Sequence, residues 1–262
     1  MTREQDSTIL YEYPLQERFR TYLRFEHSFS ELGAALTMAE EQPQAFFVAL
    51  FAAQQLIERN DIKSELAKDL ELQRSFMKRW EAHPQIDQTA LQGALQSISM
   101  AVDNLQLLNK ELRLLKDDRF LASIRSRFVQ PGITGLFELP QLQLWLNQPL
   151  AARQQQSQNW FDALQPLAAA IALQLELTRQ QGAFSSIAAT NGFWQESCEP
   201  LALLRVKVPV SACCYPVVSG HRQRFTLRFM TLPDNGDPTT EAVSDDLQIE
   251  LSRCPLLTAN TH

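Results

Sequence analysis

Over residues 14–181 apolar side chains recur every three or four positions, and beyond Gly182 the period shortens to two. The first spacing places one face of an α-helix against a core, and the second does the same for a β-strand. Ile9–Tyr13 is β-branched and aromatic and stops at Pro14, which predicts a short strand feeding a helix over about 14–36. In that helix Leu15, Phe19, Tyr22, Leu23, Phe29 and Leu32 make the apolar stripe. Further helices are predicted over 43–58 and from the cap candidates Asn60 and Asp61 to about Pro84. After the cap candidate Asp87, residues Leu91, Leu95, Ile98, Val102, Leu105, Leu108 and Leu112 form a nearly regular heptad seam on one long helix. Such a seam serves either an intramolecular bundle or a dimer, because both use the same spacing. A helix over 117–128, a strand over 133–139, a short helix over 142–146 and one long helix over 149–181 with a kink expected at Pro166 complete this part.

Beyond Gly182, Leu201–Val208, Tyr215–Val218, Arg224–Met230 and Leu247–Leu251 read as strands, and Pro233-Asp-Asn-Gly-Asp-Pro238 as a turn. The fold class is therefore α+β, a mainly helical bundle domain plus a smaller antiparallel β-sheet domain. The expected division is helical over 14–130 and 140–182, β over 9–13, 131–139 and 183–252, with a polar tail over 253–262. One sheet is expected to gather the C-terminal strands with those near 11 and 135.

Length and composition change this picture little. The chain has 262 residues, 45% of them hydrophobic, enough for one large or two modest cores. The opening residues lack a secretion signal, and no apolar run approaches the ~20 residues that span a bilayer. A cytoplasmic, membrane-free protein is the expectation. The cysteines Cys198, Cys213, Cys214 and Cys254 lack metal-ligand spacing and are expected as reduced thiols on buried strand faces.

Candidate chemistry is sparse. Among four histidines there is no HExxH, and no GxSxG, phosphate loop or dinucleotide loop occurs. Ser219-Gly220-His221 has the types of a nucleophile and base but reads better as a turn, lacking an orienting group and oxyanion donors. Asp117-Asp118 reads as a helix cap in preference to an acid–base pair. No enzyme, cofactor or metal is expected.

Charge is more informative. The net charge of −6 disfavours a whole-surface polyanion binder. Yet 18 of the 24 cations are Arg, which makes forked contacts with carboxylate or phosphate. Leu201–Pro233 contains no acid but holds Arg205, Lys207, Arg222, Arg224 and Arg228, whereas Asp234–Glu250 holds six acids and no cation. The two stretches either neutralise each other across a hairpin, or a partner molecule supplies the anion. Arg222, Arg224 and Arg228 share parity on one strand, so a regular strand turns all three to one face. A nucleic-acid-binding module using this face is one reading of such a partner.

Four segments carry a resemblance. Leu10-Tyr-Glu-Tyr-Pro-Leu-Gln-Glu-Arg-Phe-Arg-Thr-Tyr-Leu-Arg-Phe-Glu26, Asp118-Arg-Phe-Leu-Ala-Ser-Ile-Arg-Ser-Arg127, Asn191-Gly-Phe-Trp-Gln195 and Ser219-Gly-His-Arg-Gln-Arg-Phe-Thr-Leu-Arg-Phe-Met230 resemble, in order and separation, segments of the ZapD family. These are bacterial cell-division proteins that associate with the tubulin-like FtsZ ring. The resemblance implies a non-enzymatic homodimer, joined through its helical part, that binds the C-terminal peptide of FtsZ, bundles its filaments and stabilises the Z ring at midcell. It places the peptide-binding surface on Arg20, Arg24, Arg119, Arg224 and Arg228. Arg222, where the family often has Lys, keeps the charge and joins that set.

Overall fold

The computed structural model describes residues 7–39, 41–81, 87–128, 135–221, 224–232 and 241–258, with only the backbone of His221. The described residues form eight α-helices and two antiparallel sheets, an α+β fold divided into two compact units. One unit comprises residues 22–174 and the other residues 1–21 with 175–262.

The helical unit holds most of α1 (Glu17–Thr37), then α2 (Pro43–Arg59), α3 (Ile62–Lys78), α4 (Gln88–Asp117), α5 (Arg119–Phe128), α6 (Pro140–Leu146), α7 (Leu150–Asp162) and the start of α8 (Gln165–Gln180). Tyr22, Leu32, Leu66 and Leu70 are fully buried along the predicted stripes, and Phe25, Phe46, Phe47 and Leu50 are fully buried beside them. Around Phe47 the rings of Phe51, Phe120, Trp145 and Trp160 lie 5.2–6.2 Å away, in tilted, stacked and edge contacts that add to the area they bury. Asp118 ties this cluster to the chain. Its Oδ1 accepts the Leu121 N–H at 2.9 Å, capping α5, while its Oδ2 accepts the Trp160 indole N–H at 2.9 Å. The helix-cap reading of the aspartate pair therefore holds at Asp118. Asp87 caps α4 through the N–H groups of Thr89 and Ala90, whereas Asp61 stands at the α3 N-cap without a side-chain bond.

The single helix expected over 149–181 is two helices. Pro166 lies at the second position of α8, where its missing N–H has no intrahelical partner to lose, so the chain ends α7 at Asp162 and starts again. Of the strand expected over 133–139, the described residues form none: Leu136–Glu138 makes a 3-10 turn leading into α6, and residues 129–134 lie outside the described set.

The β unit contains two sheets where one was expected. The first has the order β1 (Thr8–Pro14), β4 (Leu201–Pro209), β7 (Leu247–Pro255), β2 (Phe184–Ala189); the second has β3 (Phe193–Ser197), β6 (Arg224–Thr231), β5 (Cys214–His221). Leu204, Val206, Val208, Ile249 and Leu251 of the first sheet and Val218, Phe225, Leu227 and Phe229 of the second form one buried cluster. Because β7 continues to Pro255 and Leu257 is buried, the polar tail begins later than residue 253. The turn over 233–238 lies outside the described residues. Of the cysteines, Cys214 and Cys254 are buried and Cys198 is half-buried; Cys213 corrects the expectation, standing exposed at φ +48° after a 3-10 turn.

On the opposite face of the first sheet, Glu12 of β1 binds two arginines. Arg179 of α8 donates to it through Nε at 2.9 Å and Nη2 at 2.6 Å, and Arg205 of β4 donates through Nε at 2.8 Å. Beside it Lys207 pairs with Glu250 at 2.9 Å, and both Arg205 and Lys207 lie over the Phe184 ring.

Replacing Asp118 with Ala removes a helix cap and strands a half-buried indole N–H, at an expected cost of about 2 kcal/mol. Urea titration of wild type and Asp118→Ala measures it, and a loss under about 0.5 kcal/mol contradicts the assigned roles.

Candidate functional site: an acid-free arginine face

Strand β6 is central in its sheet and strictly alternating. Phe225, Leu227 and Phe229 point into the core, and Arg224 and Arg228 are exposed on the other side with Thr226 between them. Four residues of strand separate the two arginines by about 13 Å. Register fixes their neighbours. Arg224 lies between Ser197 of β3 and His221 of β5, Thr226 between Gln195 and Ser219, and Arg228 between Phe193 and Val217. Phe193, Gln195, Ser197, Val217 and Ser219 are all exposed, so this face offers two guanidinium groups, three small polar side chains and an apolar end.

No acid shares this face among the described residues. Glu196, the one acid of β3, registers with Phe225 on the opposite side, where Arg253 of β7 grips it at 2.6 and 2.7 Å. This bidentate bond, helped by the Trp194 indole N–H, holds the Glu196 carboxyl below its ordinary value. Arg224 and Arg228 have no ion pair among the described residues, and the Arg228 guanidinium lies 5.6 Å from the Phe193 ring centre. Stacking restrains the fork without consuming its donors. The neutralisation that the charge pattern allowed is therefore partial, and it is confined to the cations of β4 among the described residues. The cations of β4 are neutralised, Lys207 by Glu250 from the acidic stretch and Arg205 by Glu12, while the arginines of β6 are not. In that acidic stretch Asp246 instead accepts the Asn191 N–H, and the Asp245 carbonyl accepts that of Gly192, which fixes the positive-φ turn before β3.

The remaining predicted residues are distributed as follows. Arg222 lies outside the described residues. Arg20, in the β unit, is 3.1 Å from Glu17 and 5.8 Å from the Tyr13 ring centre. Arg24 and Arg119 belong to the helical unit and are exposed; Arg119 opens α5. Arg24 lines an apolar groove of about 700 Å³ between α1 and α2, together with His27, Glu31, Ala49, Ala52 and Arg59. Sequence reasoning missed Arg59 and His27 beside Arg24, although the i, i+3 spacing of Arg24 and His27 sets them on one helix face. It also missed Phe193 as the platform under Arg228, which only strand register reveals. No cluster of His, Cys, Asp and Glu able to hold a metal is found among the described residues. No described helix is long and apolar enough to cross a membrane.

These features define an α+β protein that presents an uncompensated arginine face. Its relatives define more. The family model for "ZapD: Cell division protein" matches residues 23–228. A cell division protein ZapD of Idiomarina loihiensis is 52% identical over 255 residues, covering 97% of this chain and 99% of that protein. Those of Vibrio atlanticus and Vibrio vulnificus are 38% and 37% identical over 245 residues, covering 93% of this chain and 98% of each relative. The chain belongs to the ZapD family of cell division proteins.

Since Arg253 holds the folded Glu196 carboxyl below 4.5, the pair stabilises the fold above that pH and loses this contribution as pH falls through the lowered value. The stability gap between wild type and Arg253→Gln is therefore expected at full size at pH 7 and to close on acidification, read by denaturant midpoints across that range. A gap independent of pH contradicts the pairing.

Proposed function

We propose that this protein is a non-enzymatic division factor that binds the acidic, partly apolar C-terminal tail of FtsZ and, as a homodimer, cross-links FtsZ filaments within the division ring at midcell. The observation that supports this most directly is the β6 face. Two exposed arginines without acidic partners, beside an exposed Phe and Val, suit a short peptide that mixes carboxylates with apolar side chains. An extended peptide turns alternate residues to one side, so carboxylates four residues apart match the spacing of Arg224 and Arg228. Arg20, Arg24, Arg119 and Arg222 belong to the proposed binding set through the family resemblance, as further carboxylate donors.

Bundling needs no chemical step. A dimer carries two identical tail sites on one particle, and a second tail then binds at high effective concentration, so individually weak sites give a durable bridge between filaments. Weak sites also let the bridge exchange as filaments turn over. Exposed charge–charge recognition further implies binding that falls with added salt.

Titration of a labelled FtsZ C-terminal peptide is expected to give micromolar or weaker affinity at moderate salt and at least a tenfold loss for Arg224→Glu with Arg228→Glu. Unchanged binding rejects the face. Co-sedimentation with FtsZ filaments is expected to require the tail, and pelleting with tail-less filaments rejects the peptide model. A mobility shift with duplex or single-stranded DNA at the same salt would instead favour the nucleic-acid use of these arginines.

A further inference from the structure

A second cavity of the helical unit, of about 580 Å³, lies between α2, the last turn of α4 and α5. Gln54, Leu115 and Leu121, all buried, make its floor, and Glu58, Arg59, Lys116 and Arg125 stand on its rim. Small-molecule sites have this size, about 300–1,000 Å³, and this make-up of an apolar lining with a few convergent polar groups.

Gln54 is the residue that calls for a ligand. It is only 8% exposed, yet its carboxamide makes no hydrogen bond to any described residue. Buried amides are ordinarily bonded, so one that opens on a cavity holds a donor and an acceptor ready for a partner. The rim is cationic. Arg125 donates to both oxygens of Glu58, at 2.7 and 2.6 Å, and so occupies the one acid among the described lining residues. Arg59 and Lys116 form no ion pair among the described residues. Both stand in the last turn of a helix, where the dipole favours a cation. The dipoles account for each cation singly, but not for their convergence with an unbonded amide over an apolar floor.

These groups select a ligand with anionic oxygens for Arg59 and Lys116, a flat body for Leu115 and Leu121, and an adjacent donor and acceptor for Gln54. Glutamine forms two bonds with the N6 and N7 edge of adenine, whereas guanine presents two acceptors there, O6 and N7, one of which would face the amide oxygen. Phosphate oxygens suit a guanidinium and an ammonium that lack a carboxylate.

We infer that this cavity binds an adenine nucleotide, its base held by Gln54 against Leu115 and Leu121 and its phosphates by Arg59 and Lys116. The site uses none of the arginines assigned to the FtsZ tail and stands independently of that reading.

The test is isothermal titration calorimetry of the full chain with ATP, in magnesium-free buffer so that the phosphates stay free for the protein's cations. Wild type is expected to bind one ATP per chain. Gln54→Leu is expected to weaken binding at least about tenfold, the size of a good bidentate base contact. Lys116→Glu is expected to weaken it by about the same factor and to reduce its salt dependence. GTP and inorganic triphosphate are each expected to bind at least about tenfold more weakly than ATP, because neither satisfies the Gln54 amide. Circular dichroism melts check that the variants fold, and Lys116, being exposed, keeps the test decisive even if Gln54→Leu is unstable. The proposal is overturned if ATP shows no saturable binding. It is equally overturned if both variants bind ATP as wild type does, or if inorganic triphosphate matches ATP, which leaves a bare anion site.

Discussion

One carboxylate, Glu12, organises the charge of the β unit. It takes Arg179 from α8 and Arg205 from β4, so a helix and two strands meet at one half-buried anion. Removing such a group leaves two guanidinium ions facing each other in a partly desolvated place, which costs more than the pair itself contributes. The same arrangement recurs at Glu196 with Arg253 and at Glu250 with Lys207. The arginines of β6 remain uncompensated because their face carries no acid among the described residues: Glu196 turns to the opposite side of its sheet, and Glu12 and Glu250 belong to the other sheet.

The helical unit meets a different constraint. Its core is filled by flat rings packed in stacked, tilted and edge contacts, and a wide indole brings an N–H that cannot go unbonded. Asp118 satisfies that N–H and caps α5 with its two oxygens, so the same residue fixes both the ring cluster and the start of the helix that presents Arg119. Arg125, near the end of that helix, grips Glu58 of α2 at 2.7 and 2.6 Å, which fixes α5 at its far end. The exposed Arg119 at the helix start is thus carried by a segment held at both ends.

Helices, strands and their apolar faces were legible from the sequence because periodicity is local: burial of one face repeats with the geometry of the element itself. The alternation along Arg224–Met230 was enough to put Phe225 and Phe229 inside and the arginines outside. The α+β class followed from the change of period near Gly182. What local pattern could not decide was pairing. That β6 lies between β3 and β5, in a sheet separate from β4, is a matter of long-range hydrogen bonding, and the expectation of one sheet failed there. So did the 133–139 strand, where an apolar run short enough to suit either period formed a 3-10 turn.

The sequence by itself determined that the stretch from 201 to 233 is cationic and acid-free, and that Arg224 and Arg228 share a face of one strand. Only the tertiary structure decided which of those cations are neutralised, since Glu12 lies 193 residues from Arg205 and Glu250 lies 43 from Lys207. Charge composition is additive along a chain and can be read in order. Neutralisation depends on distance in space, and folding sets that distance through the register of strands whose partners lie far apart in the sequence.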